Sequence, residues 1–192
     1  MKDILIVYED KACESVLQSG LHRTKYAVIK SLALDADIYK EIKQLHPDLL
    51  LLQVDTPHNA LLAMLKVINQ EFSIPIVLFA TEARSYMVDE IVSAGVSAFV
   101  IDGLSEKRVR AILDTAVARF NSINQIKQEL KKTKLTLEER KYIDRAKALL
   151  IMKKNVSEQE AYSTLRKLAM ESNKRIGQAA KDVINVLEAI NQ

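Results

Sequence analysis

The chain has 192 residues, of which 48% are hydrophobic and 28% charged, with a formal net charge of +3. That length suits one medium domain with a small companion, and that apolar share supports a packed core and excludes wholesale disorder. A lone cysteine, Cys13, excludes an intramolecular disulfide, and no Cys/His cluster has zinc-site spacing. The start, MKDILIVYED, has charges at both ends of a short apolar run, unlike a signal peptide, and no apolar run approaches the roughly 20 residues of a membrane span. The expectation is a cytoplasmic protein with no membrane contact.

In chain order, five short apolar runs alternate with helical patterns. The predicted strands are Ile4–Val7, Ala27–Leu32, Leu49–Val54, Ile74–Phe79 and Ala98–Ile101. Continuous runs of this length suit strands buried on both faces of a parallel sheet. Helix-period stretches lie at Ala12–Ser19, Asp37–Leu45, Ala60–Asn69 and Tyr86–Ala94, and Gly95 follows the last as a C-cap. The fold class expected is α/β followed by all-α: a flavodoxin-like, doubly wound five-stranded sheet of order 2-1-3-4-5, with its functional edge at the strands' C-terminal ends.

This order, with the acidic end of strand one and the phrase PDLLLLQVDTP, resembles the receiver domain of two-component response regulators over residues 1–120. The resemblance implies a phosphoacceptor carboxylate, two acids for Mg²⁺, a hydroxyl on strand four and a lysine after strand five. This chain departs at most of those positions. Tyr8 stands at the first acid and Glu9 keeps the second, Gln53 replaces the phosphoacceptor, Ala80 falls at the hydroxyl with Thr81 adjacent, and Asp102-Gly103 replaces Lys-Pro. An amide has neither the charge nor the nucleophilicity to form an acyl phosphate. Asp55, two residues past Gln53, is the alternative acceptor, and Glu9, Asp10 and Asp55 are the candidate oxygen ligands for a divalent cation. The plainer reading makes these acids solvated strand ends. The domain is expected to be a pseudo-receiver that binds protein rather than phosphate, with no metal and no cofactor.

From Ser105 a helical pattern runs without Gly or Pro past Met152. Val109, Ile112, Ala116, Ile123, Ile126, Leu130 and Leu137 fall three, four or seven residues apart, a 3.5-residue seam interrupted at Arg119 and Thr133. Residues 121–137 are therefore expected to be a coiled-coil connector forming a parallel homodimer through Ile123, Ile126, Leu130 and Leu137. Packing against the chain's own domains is the alternative.

Residues 138–192 read as a small helical domain. Ile143, Ala146, Leu149 and Leu150 line one helix; Ser157 with Glu160 starts the next, which carries Ala161, Leu165, Leu168 and Ala169; a third follows from about Lys174. Charge is divided unevenly along the chain. Residues 1–126 hold 13 Lys and Arg against 16 Asp and Glu, whereas 127–192 hold 15 against 9. The partner surface is expected at the C-terminal end, with nucleic acid the partner class that a basic patch favours. No nucleophile–base pair or phosphate loop is visible, so an enzyme is not expected.

AKALLIM and SEQEAYSTLRKLAM resemble the ANTAR domain, a three-helix RNA-binding module of bacterial antiterminators, although Ala148 stands at a family glycine. LLLLQVDTP, GVSAFVIDGLSEKRV and AILDTAVARF extend the likeness to NasT-type nitrate and nitrite antiterminators; the amidase regulator AmiR is a more distant relative. The resemblance implies binding to leader mRNA with two hairpins, which blocks a terminator. It also implies sequestration by a nitrate-sensing, binding-protein-like regulator of the NasS type. The candidate RNA contacts are Arg140, Arg145, Lys147, Lys153, Lys154, Arg166, Lys167, Lys174 and Arg175, with Tyr162 as a stacking face. The competing reading is a DNA-binding or protein-adaptor response regulator with a coiled-coil dimer and no RNA role.

Overall fold

Unbroken burial along short apolar strands demands a layer on each face of a sheet, and the computed structural model, which describes residues 1–82, 84 and 87–189, supplies both layers. The strands β1 (Lys2–Tyr8), β2 (Tyr26–Ala33), β3 (Leu49–Val54), β4 (Ile76–Ala80) and β5 (Ala98–Ile101) form one parallel sheet in the order β2-β1-β3-β4-β5. The interleaved helices are α1 (Lys11–Leu21), α2 (Ile38–Leu45), α3 (Asn59–Phe72) and α4 (Met87–Ser93). Leu5, Val7, Leu50, Leu52 and Leu78 face Ile38, Ile42, Leu65 and Ile91 on one side. Their strand neighbours Ile4, Ile6, Leu49, Leu51, Val77 and Phe79 face Leu17 and Leu21 on the other.

Sequence and structure differ at a few ends. β4 begins at Ile76 because Pro75 has no N–H for the ladder; its carbonyl accepts from Leu50 N instead. The expected start of the fourth helix, Tyr86, lies outside the described residues. Gly95 has φ +86°, and a Cβ there would fall 2.1 Å from the Asn69 amide, so only glycine fits this C-cap.

The helix α5 runs unbroken from Glu106 to Lys154, 49 residues. Its first turns correct the seam: Val109 and Ala116 are buried with Leu113 and Val117 under the sheet, and Ile112 packs partly against them. A helix that covers a sheet and a helix that pairs with another present the same 3–4 spacing, so periodicity alone merged two different faces. Tyr26 fixes this arrangement by donating its hydroxyl to Asp114 Oδ1 at 2.7 Å. Lys25 and Tyr26 together hold the Asp114 carboxyl below its ordinary range.

The chain divides into two units, residues 1–123 and 124–192. In the second, Ala146 and Leu150 of α5 pack with Ala161 and Leu165 of α6 (Glu158–Glu171) and with Ala180 and Ile184 of α7 (Ile176–Ala189). Small residues permit the close approach: a Cβ on Gly177 would meet Glu139 Cγ at 2.6 Å. Asn155 and Asn173, at φ +51° and +52°, turn the chain between these helices. Ser157 and Glu160 form a reciprocal capping box at the start of α6. Among the described residues no helix is long and apolar enough to cross a membrane.

One buried acid tests the first unit. Burial alone would raise the Glu14 carboxyl, but hydrogen bonds from Lys11, Ser31 and Gln18 outweigh it, leaving Glu14 below its ordinary value of 4.5. A carboxyl depressed in the folded state stabilises fully above its unfolded pKa and loses that stability as pH falls through the folded value. Glu14→Gln should therefore flatten the decline in stability below about pH 4.5, measured by denaturant titration at several pH values.

Candidate nucleic-acid interface

The C-terminal edge of a doubly wound sheet is where chemistry is expected, and here hydrogen bonds have closed it. Tyr8 and Gln53 are register partners on β1 and β3. Gln53 is 2% exposed, and its Oε1 accepts from Glu9 N at 3.1 Å and Asp10 N at 3.0 Å. Glu9 answers by accepting from Asp55 N at 2.7 Å, and Thr81 Oγ1 donates to Asp55 Oδ1 at 3.1 Å. Ala80 and Asp102 line the remaining recess of about 120 Å³ with Cys13 and Gln53. Burial, then the nearby Asp10 charge, pushes the Cys13 thiol up, away from the reactive thiolate.

This donor set does not fit a divalent cation. The Gln53 oxygen and the Glu9 carboxylate are already bonded to main-chain N–H groups, and no group of three metal-ligating side chains occurs among the described residues. Asp55 stands beyond β3 as an exposed carboxylate held by Thr81. Gln53 thus ties the β1–α1 turn, where Asp10 caps α1, directly to β3. Gln53→Leu leaves the Asp10 N–H short of an acceptor, while Glu9 N keeps its bond to the residue 53 carbonyl at 3.0 Å; the change should cost about 1–3 kcal/mol, read as a lowered denaturation midpoint of the first unit.

The second unit holds the basic residues, and the structure sorts them. Lys147 has a side chain only 18% exposed and joins Asp144 of α5, at 3.0 Å, to Glu158 at the start of α6, at 2.8 Å. Glu158 and then Asp144 raise its pKa, fixing the ammonium. It is a clasp between two helices before it is a phosphate ligand. Arg145 pairs with Glu188 at 2.5 Å, Lys174 with Asp182 at 2.6 Å, Arg175 with Glu139 at 3.8 Å and Lys167 with Glu171 at 3.9 Å. Lys153 Nζ donates to Leu187 O at 2.6 Å. Exposed pairs of this kind contribute little and exchange readily for a phosphate. Arg140, Lys154 and Arg166 are exposed and carry no ion pair among the described residues.

One apolar assignment changes. Leu168, expected in the core stripe, is 39% exposed, because α6 turns it toward an open groove of about 380 Å³ lined also by Leu150, Lys154, Val183 and Val186. Tyr162 stands on the surface, one turn before Arg166, and is not a core aromatic. The groove and the pairing of Arg145 with Glu188 join residues of different helices, which no local spacing announces. The acids around Lys147 carry a partial signal, since Asp144 lies at i−3 on the same helix face. Ile123, Ile126, Leu130 and Leu137 are all more than two-fifths exposed.

Against this geometry the comparisons with known proteins fall into place. Residues 131–184 match the family model of the ANTAR domain. Over 185 residues the chain is 25% identical to the transcriptional regulatory protein PdtaR of Mycobacterium tuberculosis, covering 96% of this chain and 90% of that protein. It is 29% identical over 85 residues to the nitrate regulatory protein of Klebsiella oxytoca, which is 44% of this chain and 22% of that protein. The sheet unit resembles a crystal structure of a LuxR-family DNA-binding response regulator from Staphylococcus aureus, with TM-score 0.52 and 17% identity over 60% of this chain and 98% of that one. It also resembles the receiver domain of the response regulator NarL from M. tuberculosis, with TM-score 0.51 and 18% identity over 60% and 95%. At these identities the two structures establish the fold alone. The chain joins a receiver-type sheet to an ANTAR domain, and its relatives by sequence are regulatory proteins.

Proposed function

We propose that this ANTAR-domain regulator is an RNA-binding transcription antiterminator, which grips paired stem-loops in a leader mRNA and keeps a terminator from forming. The observation that carries the reading is the ANTAR match over residues 131–184, laid on a three-helix bundle with exposed arginine and lysine on its outer faces. Phosphate contacts fix such a protein on a stem, while unstacked loop bases offer faces to aromatic and guanidinium groups. Tyr162 and Arg166, one turn apart on α6, suit the second task.

Control passes through a partner protein rather than a phosphoryl group. The support is the carboxamide at Gln53 and its two N–H bonds, together with Asp102 where a receiver carries lysine. The signal we assign is nitrate or nitrite, delivered by a ligand-sensing regulator of the NasS type; the 85-residue likeness to a nitrate regulatory protein supports it. The protein works as a homodimer through the exposed seam of α5. Titrating the full chain against a leader RNA with two hairpins, across salt, tests the reading. A preference over loop-scrambled RNA supports it, whereas equal binding of both, or preference for duplex DNA, overturns it.

A further inference from the structure

Cations of the second unit divide by place. Arg145, Lys147, Lys174 and Arg175, around the three-helix bundle, are paired with carboxylates. Ahead of it on α5, Lys127, Lys131, Lys134 and Lys141 are exposed and carry no ion pair among the described residues. An α-helix turns about 100° and rises about 1.5 Å per residue, so these four fall within about 40° of one line about 21 Å long. Ile126, Leu130 and Leu137 stand about 60–100° to one side of that line, and the buried Ala146 and Leu150 about 100–140° to the other. The stripe therefore stays in water whichever apolar face of the helix is covered. Arg145 continues the line, held there by Glu188, and Lys181 of α7 lies over the ring of Tyr142, next to Lys141, at 5.5 Å. Glu138 is the one acid on the line, exposed and likewise without an ion pair among the described residues.

We propose that this stripe holds the phosphate backbone of an RNA stem, so that the RNA surface extends from the bundle along α5 ahead of it. The inference rests on the RNA reading above and adds a contact outside the three-helix core. A base-paired stem is a stiff rod with regularly repeated negative charge, and a straight row of lysines presents its complement. Lysine is a point charge on a flexible stem, suited to a phosphate oxygen and poor at reading the edge of a base. The stripe thus supplies affinity without sequence preference, and Tyr162 and Arg166 on α6 are left to the loop. Glu138, set between Lys134 and Lys141, works against it.

The test titrates the full chain against the two-hairpin leader RNA and a loop-scrambled copy, at several salt concentrations. Lys127→Gln, Lys131→Gln and Lys134→Gln combined should lower the slope of log affinity against log salt by about 2 or more. Both RNAs should lose affinity alike, to within about twofold, because phosphate contacts carry no sequence information. Glu138→Gln should strengthen binding of both RNAs severalfold at low salt. Glutamine is as good a helix former as lysine, so helix content and self-association should stay as in the native chain. An unchanged slope, which a docking site for an acidic protein predicts, overturns the proposal. So does a loss of affinity that appears only where self-association is lost. Equal binding of both RNAs by the native chain would sink the antiterminator reading, while the slope of the triple variant still decides this one.

Discussion

Leu165→Ala is expected to melt the C-terminal unit while the transition of residues 1–123 stays in place. Leu165 has no exposed surface and sits in one small buried cluster with Ala146, Leu150, Ala161, Ala180 and Ile184. Leucine-to-alanine changes in cores cost about 2–5 kcal/mol. A bundle with so few buried side chains commands little more stability than that. Denaturant titration followed by circular dichroism should show an early helical transition that the native chain lacks, and hairpin binding should fall with it. Leu165→Met, which conserves volume, should cost less than about 1.5 kcal/mol. Coincident melting of both units in the alanine variant would show that the module does not fold as a separate cooperative body.

A second expected result concerns the cations that the protein does not spend on itself. Arg166→Glu and Lys154→Glu should each weaken hairpin binding by about 1–3 kcal/mol, roughly 5- to 150-fold. The slope of log affinity against log salt should fall by about 0.7–0.9 for each phosphate contact removed. Lys147→Ala should behave differently. It breaks the bridge from Asp144 to Glu158, so its first effect is a lowered melting transition of the bundle, with the salt slope of the folded fraction preserved. Measuring affinity at three salt concentrations, alongside a melt for each variant, separates the two classes. If Lys147→Ala reduces the slope and leaves the melt untouched, the clasp assignment is wrong.

How much of this was legible beforehand depended on whether the signal was local. β3 and β5 were readable to the residue because a short, mostly apolar run bounded by turn residues has one economical use in a parallel sheet. The capping box at Ser157 and Glu160 was equally plain, since both partners lie within one turn. The long helix was recognisable as a helix but not as two faces. Val109 and Ala116 obey the same spacing as Leu130 and Leu137, and only the sheet in three dimensions claims the first pair. The degenerate pocket was identified by residue type at Gln53, but the exchange of hydrogen bonds among Gln53, Glu9 and Asp55 joins two strand ends 44 or more positions apart. Among the basic side chains, charge alone could not distinguish Lys147 from Arg166.

The carboxamide at the end of β3 also bears on what kind of record the protein can keep. A phosphorylated regulator stores its last stimulus in a covalent bond and forgets at the speed of hydrolysis. Gln53, with its oxygen given to two main-chain N–H groups, offers no such bond. Under the proposed control by a partner, the output lasts only as long as the partner stays away. The dissociation rate of that complex, and the relative abundance of the two proteins, then set the timing of the response.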